Sequence, residues 1–278
     1  MKINGLQWLL KSYLGHNCII FLLRTFLFAL IVTACVTKDP SSKEPLFEGK
    51  QLSCWLQDFG YESDFRTQFE IERNEKAENA IRGIGRDALP YLLKAIQSDE
   101  FERRFQGMYG LCAAGSNAAP IIPQLAILLK NERVETARFA AVALASIGSE
   151  AIPALLKGFT NGIFEVRSIA LDGLAKNGEK SVAAVPALVA ALNDSITNLN
   201  ERIIIVLGEI GKESDLVVPL LIQFLGDPYY GYRLCAAEAL QKFPDKAKPA
   251  IPILKKMLKD DHPWVREAAE ETLQIVAP

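Results

Sequence analysis

Between residues 70 and 276 the apolar positions recur in a frame of about 33 residues. Prolines stand at 90, 123, 153, 186, 219 and 252, spaced 33, 30, 33, 33 and 33 apart. Two residues after each comes a leucine: Leu92, Leu125, Leu155, Leu188, Leu221 and Leu254. Four further on stands a second large apolar residue: Ile96, Leu129, Phe159, Leu192, Leu225 and Leu258. Residues four apart share one helix face, so each proline opens a helix whose apolar stripe turns inward. Proline suits a first turn because its missing amide would have had no intrahelical partner. Upstream, a residue that is glycine at 85, 115, 148, 178 and 211 and proline at 244 marks the end of another helix. Glycine adopts the positive φ of a C-terminal cap without steric cost. Four residues before each mark stand Ile81, Leu111, Leu144, Leu174, Leu207 and Leu240, and four before those Ala77, Gly107, Ala140, Ala170, Ile203 and Ala236. Small residues let two helices approach while the leucines fill the gap. The frame runs on past Pro263 with Val265, Arg266, Ala269 and Leu273. It predicts six helical hairpins and a terminal half repeat, without strands. One hairpin cannot bury both of its faces, so stability comes from stacking.

Ahead of the repeats the pattern changes. Residues 1–34 carry Lys2, Lys11 and Arg24, an apolar stretch from Phe26 to Val32, then small residues, the order of an export signal. As a span, Cys18 to Ala34 is 17 residues interrupted by Arg24, short of the roughly 20 a helix needs to cross hydrocarbon. Val32-Thr33-Ala34-Cys35 resembles the lipobox of bacterial lipoproteins, and the resemblance implies that Cys35 carries the lipid. An uncleaved anchor is the alternative. Both place the body outside the cytoplasmic membrane, because the positive charges stay inside. Residues 35–48 are polar and proline-bounded, a tether. In 49–69, Leu52, Trp55, Leu56 and Phe59 recur at helical spacing and predict a short amphipathic helix capping the first repeat. Its segment from Gly49 to Leu56 is similar to a leader that precedes HEAT repeats in some bacterial surface proteins.

Composition narrows the chemistry. With 50% hydrophobic and 23% charged residues, the 278-residue chain buries a sizeable core. Its formal charge is -2; without Lys2, Lys11 and Arg24, 28 bases of the 31 face 33 acids. A mildly acidic body argues against nucleic acid, which is gripped by Lys and Arg. The histidines are His16, in the leader, and His262, before Pro263 in a capping or loop position. A single histidine in the mature chain supports neither a Ser-His-Asp arrangement nor a histidine-rich metal site. No phosphate-cradling glycine motif follows a strand. No catalytic, metal or cofactor residue is therefore assigned. Cys54, Cys112 and Cys235 are read as small buried thiols, with pairing of Cys54 between chains as the alternative. Cys112 and Cys235 lie too many repeats apart to bridge.

The run Val166-Arg167-Ser168-Ile169-Ala170 to Gly178, followed by Val185-Pro186-Ala187-Leu188, closely resembles the short HEAT-like repeat of phycobilisome lyases. The resemblance implies an all-α, right-handed α-solenoid of HEAT-like, armadillo-like hairpins over residues 70–276. It also implies that an arginine early in the first helix (Arg104, Arg167, Arg233, Arg266) meets the aspartate ending the second (Asp194, Asp227, Asp260), with Ala137 and Asn200 departing from the pattern. In such stacks the second helices line the concave face, and positions one and four after each proline point into it. These are Tyr91 and Lys94, Gln124 and Ile127, Ala154 and Lys157, Ala187 and Ala190, Leu220 and Gln223, Ile253 and Lys256. The strip is mostly apolar in its middle, which suits a protein or peptide partner unless neighbouring repeats cover it. Tyr229, Tyr230 and Tyr232, in the loop between repeats five and six, are either a binding hot spot or junction packing. The expected function is a non-enzymatic, lipid-anchored scaffold for a protein partner, with no small-molecule substrate. A bilin lyase or isomerase is the alternative.

Overall fold

The computed structural model describes residues 44–59, 68–193 and 199–277. The export signal, Cys35, most of the tether and Asp194 lie outside them. The chain divides into two compact units, Met1–Ile84 and Gly85–Pro278.

In the first unit, β1 (Leu46–Phe47) and β2 (Lys50–Gln51) pair antiparallel, Leu46 opposite Gln51 and Phe47 opposite Lys50. No strand was expected here. The hairpin forms because Glu48 (φ 50°) and Gly49 (φ 75°) both take the left-handed conformation that a two-residue turn of this twist requires. Helix α1 (Leu52–Leu56) follows. The Glu44 carboxylate accepts hydrogen bonds from the Ser53 amide and, at 3.0 Å, from the Ser53 hydroxyl, satisfying amides of the first turn. Leu52, Leu56 and Phe59 are buried, as their spacing predicts. Trp55 is half-buried: its ring meets Phe47 edge-on at 6.2 Å, and the Lys50 ammonium sits 4.0 Å from the indole centroid. Helix α2 (Gln68–Ile84) packs on α1 and β1. A Cβ on Gly83 would fall 2.2 Å from the Phe47 ring, so glycine is what lets that ring lie on the helix. Cys54 is buried and disulfide-bonded rather than a thiol; Cys112 and Cys235 are free thiols.

The second unit is the solenoid. Its first helices are α4 (Phe101–Ala114), α6 (Val134–Ile147), α8 (Phe164–Asn177), α10 (Asn200–Ile210), α12 (Tyr230–Leu240) and α14 (Pro263–Val276). Its second helices are α3 (Leu89–Ala95), α5 (Ile122–Leu128), α7 (Ile152–Phe159), α9 (Val185–Asn193), α11 (Ser214–Phe224) and α13 (Ile251–Met257). First helices stack each on the next in an unbroken row, and every second helix lies against the first helix that follows it. The leucines two after each proline and the aliphatics four before each glycine mark are all buried. Gly85, Gly115, Gly148, Gly178 and Gly211 all have positive φ. Proline cannot adopt that conformation, so at Pro244 helix α12 stops at Leu240 and the chain turns through 241–247, burying Phe243 and Ala247. Small residues set the spacing: a Cβ on Gly107 would fall 2.6 Å from the Ile96 nitrogen, where α4 passes the end of α3. By length and composition alone, the helical run Phe101–Leu128 could cross a membrane; here it is broken by Gly115 at φ 52° into α4 and α5.

Two expectations fail locally. Pro219 lies inside α11 rather than at its start, because the turn after Glu213 (φ 53°) is already helical. Leu258, which the frame places in the core, is 41% exposed. Its counterparts Ile96, Leu129, Phe159, Leu192 and Leu225 are all buried.

Candidate functional site

The junctions between second and first helices share one device. Eight residues after the proline stands Ser98, Asn131, Asn161, Asp227 or Asp260, and its side-chain oxygen accepts the amide two residues on, at 3.2, 2.9, 2.8, 2.8 and 3.0 Å. These short polar turns aim the chain into each first helix. The arginine then caps the turn through backbone rather than carboxylate. Nη1 of Arg104, Arg167, Arg233 and Arg266 donates to the carbonyl pairs of Ser98 and Asp99, Asn161 and Gly162, Asp227 and Pro228, and Asp260 and Asp261. The resemblance implied contact with the aspartate ending the second helix, and Arg233 makes it: Nε and Nη2 fork onto Asp260 at 2.8 and 2.7 Å. Burial pushes the Asp260 carboxyl up, but the Arg233 fork and the His262 amide outweigh it and hold it below the usual carboxylate range. At repeat three, where Ala137 replaces the arginine, Arg133 reaches back to the Ser98 carbonyl at 3.0 Å and the Asp99 carboxylate at 2.8 Å.

On the second-helix face, the position four after the proline is exposed in all six repeats: Lys94, Ile127, Lys157, Ala190, Gln223 and Lys256. Ile127 stands out at 73% exposure. The position one after the proline is mixed. Gln124 and Ala187 are exposed, Tyr91, Leu220 and Ile253 are half-buried, and Ala154 is buried and so drops out of the strip. An open groove of about 440 Å³ is floored by Val218, Pro219, Ile222 and Pro249, with the Lys246–Asp215 ion pair (2.9 Å) at its rim; neither Leu220 nor Gln223 lines it.

The three tyrosines divide. Tyr232 packs edge-on against Phe224 at 5.6 Å, and Tyr230 stacks flat on His262 at 3.9 Å and 8°, so both knit repeat junctions. Tyr229 is 47% exposed, meets Tyr230 at 5.3 Å and Tyr232 at 5.0 Å, and donates its hydroxyl to Glu201 on α10. That hydrogen bond, with the charge of Glu201 behind it, pushes the Tyr229 phenol up to about 12. Trp264, 57% exposed, continues the row 5.1 Å from His262. Sequence reasoning missed Glu201 and Trp264. The available signal was Gly231, which stands where the frame has Glu102, Glu135 and Glu165. Among the described residues, no group of three or more His, Cys, Asp and Glu could hold a metal ion.

A model of HEAT repeats matches residues 185–274, and one of the PBS lyase HEAT-like repeat matches residues 137–161. A comparison with curated proteins returns no match. Among solved structures, the chain is similar to the archaeal HEAT-like repeats protein from Thermococcus onnurineus NA1 (14% identity, 84% of this chain and 98% of that one, TM-score 0.52). It is also similar to a designed armadillo repeat protein in complex with the peptide (KR)4 (17%, 68% and 99%, TM-score 0.50) and to Kap121p bound to Nup53p (16%, 81% and 27%, TM-score 0.53). At these identities the likeness shows the fold: a helical-repeat solenoid of the HEAT and armadillo kind.

Proposed function

We propose that the chain is a non-enzymatic protein-binding scaffold, held by a lipid on Cys35 outside the cytoplasmic membrane, on its periplasmic or outer-membrane face. A partner protein or peptide lies along the second-helix face, concave in stacks of this kind. The observation that carries this reading is the six-repeat row of exposed positions four after each proline, in which Ile127 is 73% exposed. The core does not use these side chains, and a large exposed aliphatic in a periodic row favours a protein contact. The solenoids named above include structures with a bound peptide and with a bound protein, which supports the same class of partner.

The test places a photoreactive amino acid at Lys94, Ile127, Lys157, Gln223 or Lys256 and irradiates native membranes. Crosslinks to one protein from several of these positions, and none from exposed Arg138 or Asp172 on the first helices, are expected. Equal crosslinking from both faces would refute the assignment. Cys35→Ser tests the anchor: loss of membrane association supports the lipid, and unchanged association supports an uncleaved signal segment.

The PBS lyase HEAT-like match over residues 137–161 favours a second reading, a lyase or isomerase acting on a bilin. Those residues are taken up largely by the packing of α6 and α7. Chromophore transfer to an acceptor protein by the purified chain would establish this reading in place of the first.

A further inference from the structure

The aromatic row at the start of α12 and α14 carries an arrangement that stacking does not require. Glycine brings no side chain to pack and more conformational freedom to lose, yet α12 has Gly231 in its first turn. A Cβ there would fall 2.2 Å from Glu201 Oε1 and 2.6 Å from Tyr229 Cε1. The missing side chain is the space in which the carboxylate and the phenol meet. Glu201 forms no ion pair among the described residues, and the arginines on α10 and α12 are taken: Arg202 by Asp172 at 2.5 Å and Arg233 by Asp260. Helices α10, α12 and α14 together bear six acids (Glu201, Glu209, Glu238, Glu267, Glu270, Glu271) against three arginines. Neighbouring groups register the negative field. The Cys235 thiol is pushed up to about 11 by burial and then by Glu201 and Glu238, and Glu238 is raised by burial and then by Glu271. Beside this unneutralised charge, Tyr229 and Trp264 present exposed rings, and ring faces attract cations.

We infer that Glu201, Tyr229 and Trp264 form a docking site for a lysine- or arginine-bearing segment of a partner protein, laid along the edge where α12 and α14 begin. One cation meets the Glu201 carboxylate with its stem on the adjoining Tyr229 ring, and the next basic side chain of the segment lies on Trp264, at the far end of the row beyond His262. Gly231 keeps the carboxylate in place. The site adds a partner class to the scaffold reading and depends on it.

The experiment uses the purified full-length chain and a fluorescein-labelled eight-residue peptide of alternating lysine and glycine, followed by anisotropy. Comparators are the same peptide with glutamate for lysine and a neutral proline-rich peptide. Saturable binding of the lysine peptide is expected, falling as salt rises. Glu201→Gln, which keeps shape and removes charge, and Trp264→Ala should each weaken it about tenfold, with unchanged circular dichroism. Control substitution of Glu267 and Glu270 by glutamine should have a smaller effect. The inference is overturned if the lysine peptide does not bind, if Glu201→Gln binds it as well as the parent, if the Glu267 and Glu270 control loses as much, or if the proline-rich peptide binds as tightly. Failure here with second-helix crosslinks intact leaves the scaffold reading standing; failure of both removes it.

Discussion

Two junctions of the solenoid, α6 with α8 and α12 with α14, join equivalent helices by different chemistry. At the first, α6 buries Ala137, Ala140, Ala141 and Ala143, and a Cβ on Gly173 of α8 would fall 2.9 Å from the Ala145 methyl. Contact there is close, small and apolar. At the second, Arg233 forks onto Asp260 and Tyr230 stacks on His262. The buried Thr272 hydroxyl lies 2.6 Å from the Ala268 carbonyl and 2.9 Å from the Ala237 carbonyl, and accepts Gln241 Nε2 at 3.2 Å. The faces of α6 and α8 meet by apolar packing, with Asn161 Nδ2 donating to the Leu129 carbonyl at 2.7 Å where their repeats join, while the last junction adds an ion pair and stacked rings. Where a repeat uses more than packing requires, its side chains are also those that reach the surface with unspent charge and exposed rings.

The comparison can be broken most severely in the middle. Leu174→Ala removes a fully buried side chain of α8 and should cost about 2–5 kcal/mol, read as a lower denaturant midpoint. A loss below about 1 kcal/mol would mean that the junction can collapse around the cavity. At the other junction, Asp260→Ala leaves Arg233 without its carboxylate and should cost about 1–3 kcal/mol. Because the folded-state carboxyl is held below its ordinary value, the stabilisation is present above the unfolded value near 4 and is lost as pH falls through the lower folded one. The parent should therefore lose stability below about pH 4 faster than the variant, as thermal melts across that range would measure. The smallest effect sharpens the contrast. Arg104 is buried with Nε unpartnered, and the frame places Asn131 where Arg233 finds Asp260. Asn131→Asp should raise stability by about 0.5–1.5 kcal/mol; no change would show that the fork depends on more than the carboxylate.

Most of the stacking was legible because it repeats. A leucine two after every proline and an aliphatic four before every glycine mark state a helix face six times over, and every one of those positions is buried. What was not legible sits where the frame meets its neighbours. Leu258 reads as a core residue, yet it is 41% exposed. The hairpin at Leu46–Gln51 spans too few residues for an alternating pattern to be visible. At the aromatic edge the three tyrosines attracted notice in sequence, but which one faces solvent is a matter of rotamers. Glu201, 28 residues upstream of Tyr229, becomes its partner only through stacking of α10 against α12.

From its residues alone, this protein's periodicity, helix ends and buried faces follow, since glycine, proline and leucine act on the backbone and its immediate neighbours within a turn or two. Tertiary structure decided the pairing of each second helix with the following first helix, the choice of backbone carbonyls as arginine partners, the bond of Thr272 to the Ala237 carbonyl, and the meeting of Glu201 with Tyr229. The last two join residues 35 and 28 apart, and at that separation it is the rotation and spacing of packed helices, set by small residues at their crossings, that determine which side chains touch.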